Sequence, residues 1–325
     1  MTSRRTLLAA GLAASTLSTL PLSAMAQEKS IRLIVPFPPG GGGDTLARSV
    51  TEDWAQLLGM KLYHDYRPGA GGTIGARLGS EAKPDGMTIT YVTNGIFCTN
   101  PVLYPNIPFD PMTALRPVSA LSTIGLIAAI NPKAVPGVTD LKSLISYAKA
   151  NPGKIDFASA GNGNTSHIAG YFFSQCAGIE MTHVPYKGGA AAMLDVLAGR
   201  IPLIIDVAPN VLPHVRSGKL VAIGVPAAER LKIAPEIPTF EEQGIRGFEL
   251  AAWDGFAVPA KTPDAVVQKL NGALNEALRR DEVIRRLGAK GAAPSYGSAE
   301  AFGRFIESER PKWKRLIEAV KAKTD

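Results

Sequence analysis

Ile31-Arg32-Leu33-Ile34-Val35-Pro36-Phe37-Pro38-Pro39-Gly40-Gly41-Gly42-Gly43-Asp44-Thr45 is the stretch on which the reading of this chain turns. Residues 31–35 form a near-continuous apolar run, as a strand covered on both faces requires. Prolines and glycines end it, and Leu46, Val50, Trp54 and Leu57–Leu58 then recur at helical spacing. Working outward, residues 61–66 read as a second strand, 67–72 as a loop, 73–82 as a helix and 88–93 as a third strand. This βαβαβ rhythm predicts a parallel sheet with helices on both faces.

The middle of the chain repeats the theme. Thr139 is predicted to cap a helix whose apolar positions are Leu141, Leu144, Ile145 and Ala148, ended by Asn151-Pro152-Gly153. Strands are expected at 154–158, 181–184, 203–205 and 220–225, with helices at 166–177, 190–198 and 209–217 between them. The last third differs. Residues 248–258 read as one long strand, and Thr262-Pro263-Asp264 as a helix start with Thr262 as its cap. Ser298 opens a final helix, which Pro311 is expected to kink or restart. The fold class is therefore α/β with two lobes, each a mostly parallel sheet flanked by helices. The expected division is 27–124 for the first lobe, 125–225 for the second and 226–325 for a return to the first. Such a double crossover leaves a ligand cleft between lobes that hinge closure can seal.

Residues 1–26 read as an export signal: Arg4 and Arg5, an uncharged apolar stretch over 7–22, then Ala24-Met25-Ala26 as the cleavage pattern. Ser15, Thr16, Ser18, Thr19 and Pro21 make that stretch too polar and too short to span a bilayer. The arginine pair suits a twin-arginine signal or an ordinary secretory one equally. The mature chain is expected in the periplasm, starting at Gln27. The formal charge of +7 falls to +5 once Arg4 and Arg5 are gone. That modest, scattered excess suits an anionic small ligand, and no basic run with interleaved aromatics points to nucleic acid. Cys98 and Cys176 are the only cysteines; placed in different lobes, they are expected as free thiols. No spacing of Cys or His suggests a metal, and no cofactor is expected.

Three loops carry the chemistry. The first, 36–45, sits where open α/β sheets bind ligands and opens a helix whose free N–H groups favour an anion. Its candidate residues are Phe37, Pro38, Gly41, Gly42 and Asp44, the last either a ligand contact or a plain helix-start acid. The spacing is not that of a dinucleotide or P-loop motif. The second, 67–73, brings Gly71, Gly72 and Thr73 to the same crevice. The third, 159–167, brings Ser159, Ala160, Gly161, Asn162, Thr165, Ser166 and His167 from the other lobe. Together they predict an anion pincer of main-chain donors.

Val35-Pro36-Phe37-Pro38-Pro39-Gly40-Gly41 with Asp44 and Arg48 resembles the opening motif of the tripartite tricarboxylate transporter receptors, also called the Bordetella uptake gene family. Arg67-Pro68-Gly69-Ala70-Gly71-Gly72 is similar to the second motif of that family. His183-Val184-Pro185-Tyr186-Lys187-Gly188-Gly189 and Trp253-Asp254-Gly255 look like later ones. The resemblance covers essentially the whole mature chain. It implies a type II periplasmic binding-protein fold, a monomer, and delivery of an organic acid (a dicarboxylate, tricarboxylate, acidic amino acid or aromatic carboxylate) to a membrane permease of two integral subunits. It also implies that the loops matching 37–42 and 159–167 hold one carboxylate, partly through water, while variable residues read the far end. Asn94, Tyr186, Asp206 and Asp254 are assigned to that far wall. Gly42-Gly43 and the amides of Asn162 and Asn164 depart from the family pattern and leave the ligand's identity open.

Two rival readings compete. An α/β hydrolase needs a Gly-x-Ser-x-Gly elbow, which is absent, and Ser166 beside His167 on a helix would not face each other. A sensory module that docks on a two-component partner would carry the same sequence features as a transport receptor.

Overall fold

The computed structural model describes residues 30–104, 106–107 and 109–320; the export signal read at 1–26 lies outside them. The first five expected elements stand where the sequence puts them: β1 (Ser30–Val35), α1 (Gly42–Leu58), β2 (Lys61–Tyr66), α2 (Thr73–Ser80) and β3 (Thr88–Thr93). A π-helical turn over Gly95–Thr99 and a short helix α3 (Asn100–Leu103) follow, then α4 (Pro111–Ala114). β4 (Leu115–Ile124) and β5 (Leu126–Ile130) lie in different sheets, with Gly125 between them.

The second lobe continues with α5 (Leu141–Ala150), β6 (Ile155–Ser159), α6 (Thr165–Ala177), β7 (Met181–Pro185), α7 (Gly189–Leu197), β8 (Leu203–Val207), α8 (Ala208–Arg216) and β9 (Val221–Gly224). The chain closes with β10 (Ala252–Pro259), α9 (Asp264–Leu278), α10 (Asp281–Gly288), β11 (Ala292–Pro294) and α11 (Ala299–Val320).

The two-lobed α/β architecture holds, with one refinement: both sheets are mixed rather than mostly parallel. The first runs β11-β4-β10-β3-β1-β2 and the second β7-β6-β8-β5-β9. Each βαβ series pairs in parallel, β3-β1-β2 and β7-β6-β8. β10 joins the first series antiparallel to β3, β4 pairs antiparallel with β10, and β5 joins the second series antiparallel to β8.

Other expectations are corrected locally. Asp140, not Thr139, caps α5, through a reciprocal pair with Ser143. Thr262 does not cap α9; its hydroxyl donates back to the Pro259 carbonyl at 2.7 Å. α11 runs through Pro311 without a restart. The expected long strand begins only at Ala252, and the segment from 226 does not return directly to the first lobe. Ala234, Ile237, Phe240 and Phe248 are buried in the second lobe's cores, since their apolar side chains would otherwise face water.

On one face of the first sheet, Trp54 of α1 is fully buried against Leu270 and Leu274 of α9, and its indole N–H donates to the Leu270 carbonyl at 3.1 Å. α2 and α11 cover the other face, where Phe302 and Ile306 pack with Val92 and Trp253. With both faces covered, the loops gather at the strand ends. Cys98 is buried, Cys176 half-buried, and both are free thiols.

Candidate functional site

The carboxyl ends of β1, β3, β6 and β8 point at one another across the gap between the sheets. The cavity they enclose has a volume of about 70 Å³. Phe37, Pro38 and Gly41–Gly43 reach it from the β1–α1 turn, Thr93 and Asn94 from the end of β3, Ala160 and Asn164–Ser166 from the second lobe, and Asp206–Val207 from the end of β8. Ala252 and Trp253 complete it from β10. A second chamber of about 230 Å³ shares Phe37, Pro38, Ala160 and Asn164 with it and extends to Gly71, Gly72, Gly161, Asn162 and Tyr186. The glycine-rich segments around Gly41 and Gly161 thus face a common concavity.

Three helices begin at the smaller cavity, and no side-chain hydrogen bond caps any of them: α1 after Gly41, α6 after Asn164 and α7 after Gly188. Asn164 has a capping side chain but turns it away, donating from Nδ2 to the Ala160 carbonyl at 3.0 Å. α9 and α10 also start without a side-chain cap away from the cavity, so it is the convergence of three starts on one cavity that marks this place. A helix start leaves up to four N–H groups without an intrahelical partner and carries a partial positive charge. Three such starts around one cavity form a site for an anion. Among the described residues, Thr93 Oγ1, Asn94 Nδ2 and Trp253 Nε1 are buried and meet no partner. A buried donor without a partner costs about 1–3 kcal/mol, so their grouping on one wall points to a guest that accepts hydrogen bonds.

The lobes touch around the cavity. Thr165 Oγ1 donates to Asn94 Oδ1 at 3.0 Å, Tyr104 Oη to the Asn162 carbonyl at 3.2 Å, and Thr99 Oγ1 to the Gly163 carbonyl. A Cβ on Gly42 would stand 2.4 Å from Val207 Cγ2, so only glycine admits this approach of the lobes. Gly161 has φ +121°, and a Cβ there would meet the Tyr186 carbonyl at 2.7 Å, which makes that turn glycine-dependent as well.

The remaining sequence-predicted residues stand behind the wall. Asp44 is buried and accepts from Gly40 N and Arg48 Nε, both at 2.9 Å, from Tyr66 Oη at 2.9 Å and from His64 Nδ1 at 3.2 Å. Burial works against its charge, but those four donors outweigh it and hold the carboxyl below its ordinary range. Asp44 is therefore neither a plain cap nor part of the cavity surface; it ties the first loop to α1 and β2. Thr73 accepts from Asn100 Nδ2 at 2.9 Å. Ser159 Oγ sits 2.6 Å from His183 Nε2 and accepts from Gly161 N, holding the third loop's turn. His167 Nδ1 accepts from Gly163 N at 3.2 Å, and its ring stacks on His183 with centroids 4.2 Å apart. Ser166 Oγ accepts from Ala160 N at 2.8 Å. Ser166 and His167 thus serve separate loop contacts, and the hydrolase reading finds no support.

Asp254 is fully buried between Tyr91 Oη at 2.5 Å and Ser122 Oγ at 2.7 Å, away from the cavity surface. Burial pushes its carboxyl up to about 7 despite those donors. Asp206 does line the cavity, and burial raises it to about 6 against the pull of Val207 N and Asn210 Nδ2. Tyr186 belongs to the larger chamber and donates to Asp195 Oδ2 at 2.7 Å. Sequence reasoning missed Thr93, Asn164 and Trp253 as wall residues. Trp253 stood in a quoted motif, but no periodicity told which way its indole faced. Among the described residues no helix is long and apolar enough to cross a membrane, and no group of three His, Cys, Asp or Glu side chains is placed to hold a metal.

Comparison with known proteins agrees with this geometry. Residues 46–322 match the profile described as the tripartite tricarboxylate transporter family receptor. A protein of Pseudomonas sp. strain P51, from the tcbD-tcbE intergenic region, is 33% identical over 97% of this chain and 93% of its own length. The solved structure of periplasmic binding protein BugD is 32% identical, superimposes with a TM-score of 0.86 and covers 92% of this chain and 99% of its own. R. palustris Rpa4515, solved with adipate, is 31% identical with a TM-score of 0.87, over 91% of this chain and 98% of its own.

Proposed function

Because this chain belongs to the tripartite tricarboxylate transporter receptor family, we propose that it takes up a small organic carboxylate between its lobes, in the periplasm, and hands it to a two-subunit membrane permease. The observation that carries the ligand class is the meeting of three uncapped helix starts with the buried donors of Thr93, Asn94 and Trp253 at one cavity. Phe37, Pro38, Gly41, Gly42, Ala160, Thr165 and Ser166 surround the anion. Asn94 and Trp253 donate to it from the first lobe, and Asp206 forms the far wall. Gly71, Gly72, Gly161, Asn162 and Tyr186 line the approach. Asp44, Thr73, Ser159 and His167 hold the loops in place.

The carboxylate first meets the amides of one lobe and then recruits those of the other. Closure removes water, and each charge-assisted hydrogen bond strengthens as the surrounding dielectric falls. The 1–26 segment acts as the export signal.

A thermal-shift screen of acids, amines and sugars tests the ligand class. A ligand that binds only the folded state stabilises it by about 2.7 kcal/mol at a hundredfold excess over Kd. Carboxylates are expected to raise the melting temperature. A shift by amines or sugars with none by any acid overturns the proposal. Mass spectrometry of the exported protein is expected to find Gln27 as its first residue.

A further inference from the structure

The wall of the smaller cavity carries one formally charged side chain, and it is an acid. No Lys, Arg or His lines that cavity, yet Asp206 does, at the end of β8, with 5% of its surface exposed. Its Oδ1 accepts from Val207 N at 2.9 Å and its Oδ2 from Asn210 Nδ2 at 2.7 Å. An ionised carboxylate offers about four acceptor positions, so these two bonds orient the group without exhausting it. Facing it are donors: the starts of α1, α6 and α7, with Thr93, Asn94 and Trp253. Asp206 is the one charged acceptor on this wall, and a carboxylate cannot favour the negative end of a ligand. It favours a hydrogen-bond donor attached to that ligand.

We propose that Asp206 is the specificity determinant of this receptor, selecting carboxylates that carry an N–H or O–H donor next to the carboxylate, namely α-amino or α-hydroxy acids, over the same skeleton without it. This inference rests on the carboxylate-receptor reading given above. The shared wall supports the α position. Asp206 and the starts of α1, α6 and α7 line the same cavity, so a donor that reaches Asp206 lies close to the group those helix starts hold. A bare dicarboxylate would instead bring a second negative charge to a buried acid that no cation on the cavity wall offsets, and burial has already raised the pKa of that acid.

The test is calorimetry on the mature protein with matched acids, each carbon skeleton offered bare, α-hydroxylated and α-aminated. The panel is propionate, lactate and alanine; succinate, malate and aspartate; 3-phenylpropanoate, phenyllactate and phenylalanine; with adipate as an added bare diacid. At least one substituted acid is expected to bind about tenfold or more tightly than its bare parent, the ratio that one hydrogen bond to a charged group commands. Preference for the amine identifies an ammonium on Asp206, and preference for the alcohol a hydroxyl. Asp206→Asn, checked for folding by its melting curve, is expected to bring an amine preference down to within about threefold of parity. It is expected to spare part of a hydroxyl preference, since the amide oxygen still accepts. If that variant does not fold, Asn210→Ala leaves the carboxylate in place with one fewer competing donor, and the ratio should widen. Bare acids binding as tightly as their substituted partners overturn the role of Asp206 and leave the carboxylate receptor standing. So does an unchanged amine preference in folded Asp206→Asn, or a narrowed ratio in Asn210→Ala. Binding of none of the acids overturns both readings.

Discussion

Gly42→Ala probes lobe closure while leaving every hydrogen-bonding group of the anion site in place. Gly42 begins α1 in the first lobe, and Val207 ends β8 in the second. The added methyl would stand 2.4 Å from Val207 Cγ2, whereas carbon atoms rest about 3.5–4.0 Å apart. Valine is stiff about χ1, so it has little freedom to turn the methyl aside. The lobes must then stay more than about 1 Å further apart, or accept overpacking of about 1–3 kcal/mol. That converts to binding roughly 5- to 150-fold weaker. The free protein should not suffer: alanine is a better helix residue than glycine, and Gly42 has no left-handed φ. Calorimetry with the acid identified by thermal shift is expected to show the affinity loss, and urea unfolding without ligand to show equal or higher stability. Unchanged affinity would refute the idea that the ligand is held by both lobes in this closed arrangement.

Three further outcomes follow from the geometry. Trp253→Phe keeps an aromatic ring but removes a buried donor that has no protein partner; it should raise the free protein's stability by up to about 1–3 kcal/mol while weakening ligand binding, and a loss of both would place the indole N–H in packing alone. Asp44→Ala strips a buried acceptor from Gly40, His64, Tyr66 and Arg48 and should cost about 2–4 kcal/mol in urea melts and weaken binding through the first loop. Since the folded pKa of Asp44 is depressed, its contribution is present above the unfolded value and fades as pH falls through the folded one, so the wild type should lose the advantage over Asp44→Ala below about pH 4. Asp254 has the opposite sign: raised to about 7, it makes the native state bind a proton that the unfolded chain releases, so stability falls as pH rises from about 4 to 7. Asp254→Asn should flatten that slope in denaturation curves, and an unaltered slope would locate the titration elsewhere.

The parallel core of each lobe was legible because its signals are local. The bounds of β3 come straight from a run of β-branched and aromatic residues, those of β2 from a short segment between Gly59 and Pro68, and the ligand loops follow as the turns after such strands. β4 and β5 were not legible. Pro117 interrupts the first, and a pairing between β4 and β10 joins segments over a hundred residues apart, which no local pattern encodes. Side-chain direction was the other blind spot. Asp206 and Asp254 look alike in sequence, each an acid set within an apolar strand, yet one faces the cavity and the other is locked between Tyr91 and Ser122. Asp44 was legible as important to the first loop but not as the acceptor of four donors from three elements.

Trp253 has one side on the cavity and the other against Phe302 and Phe305 of α11. The other two tryptophans, Trp54 and Trp313, are absent from the cavity wall. The chain therefore contains its own optical probe. With Trp54 and Trp313 replaced by Phe, the emission of a single indole would register occupancy of the cavity in real time, without a dye.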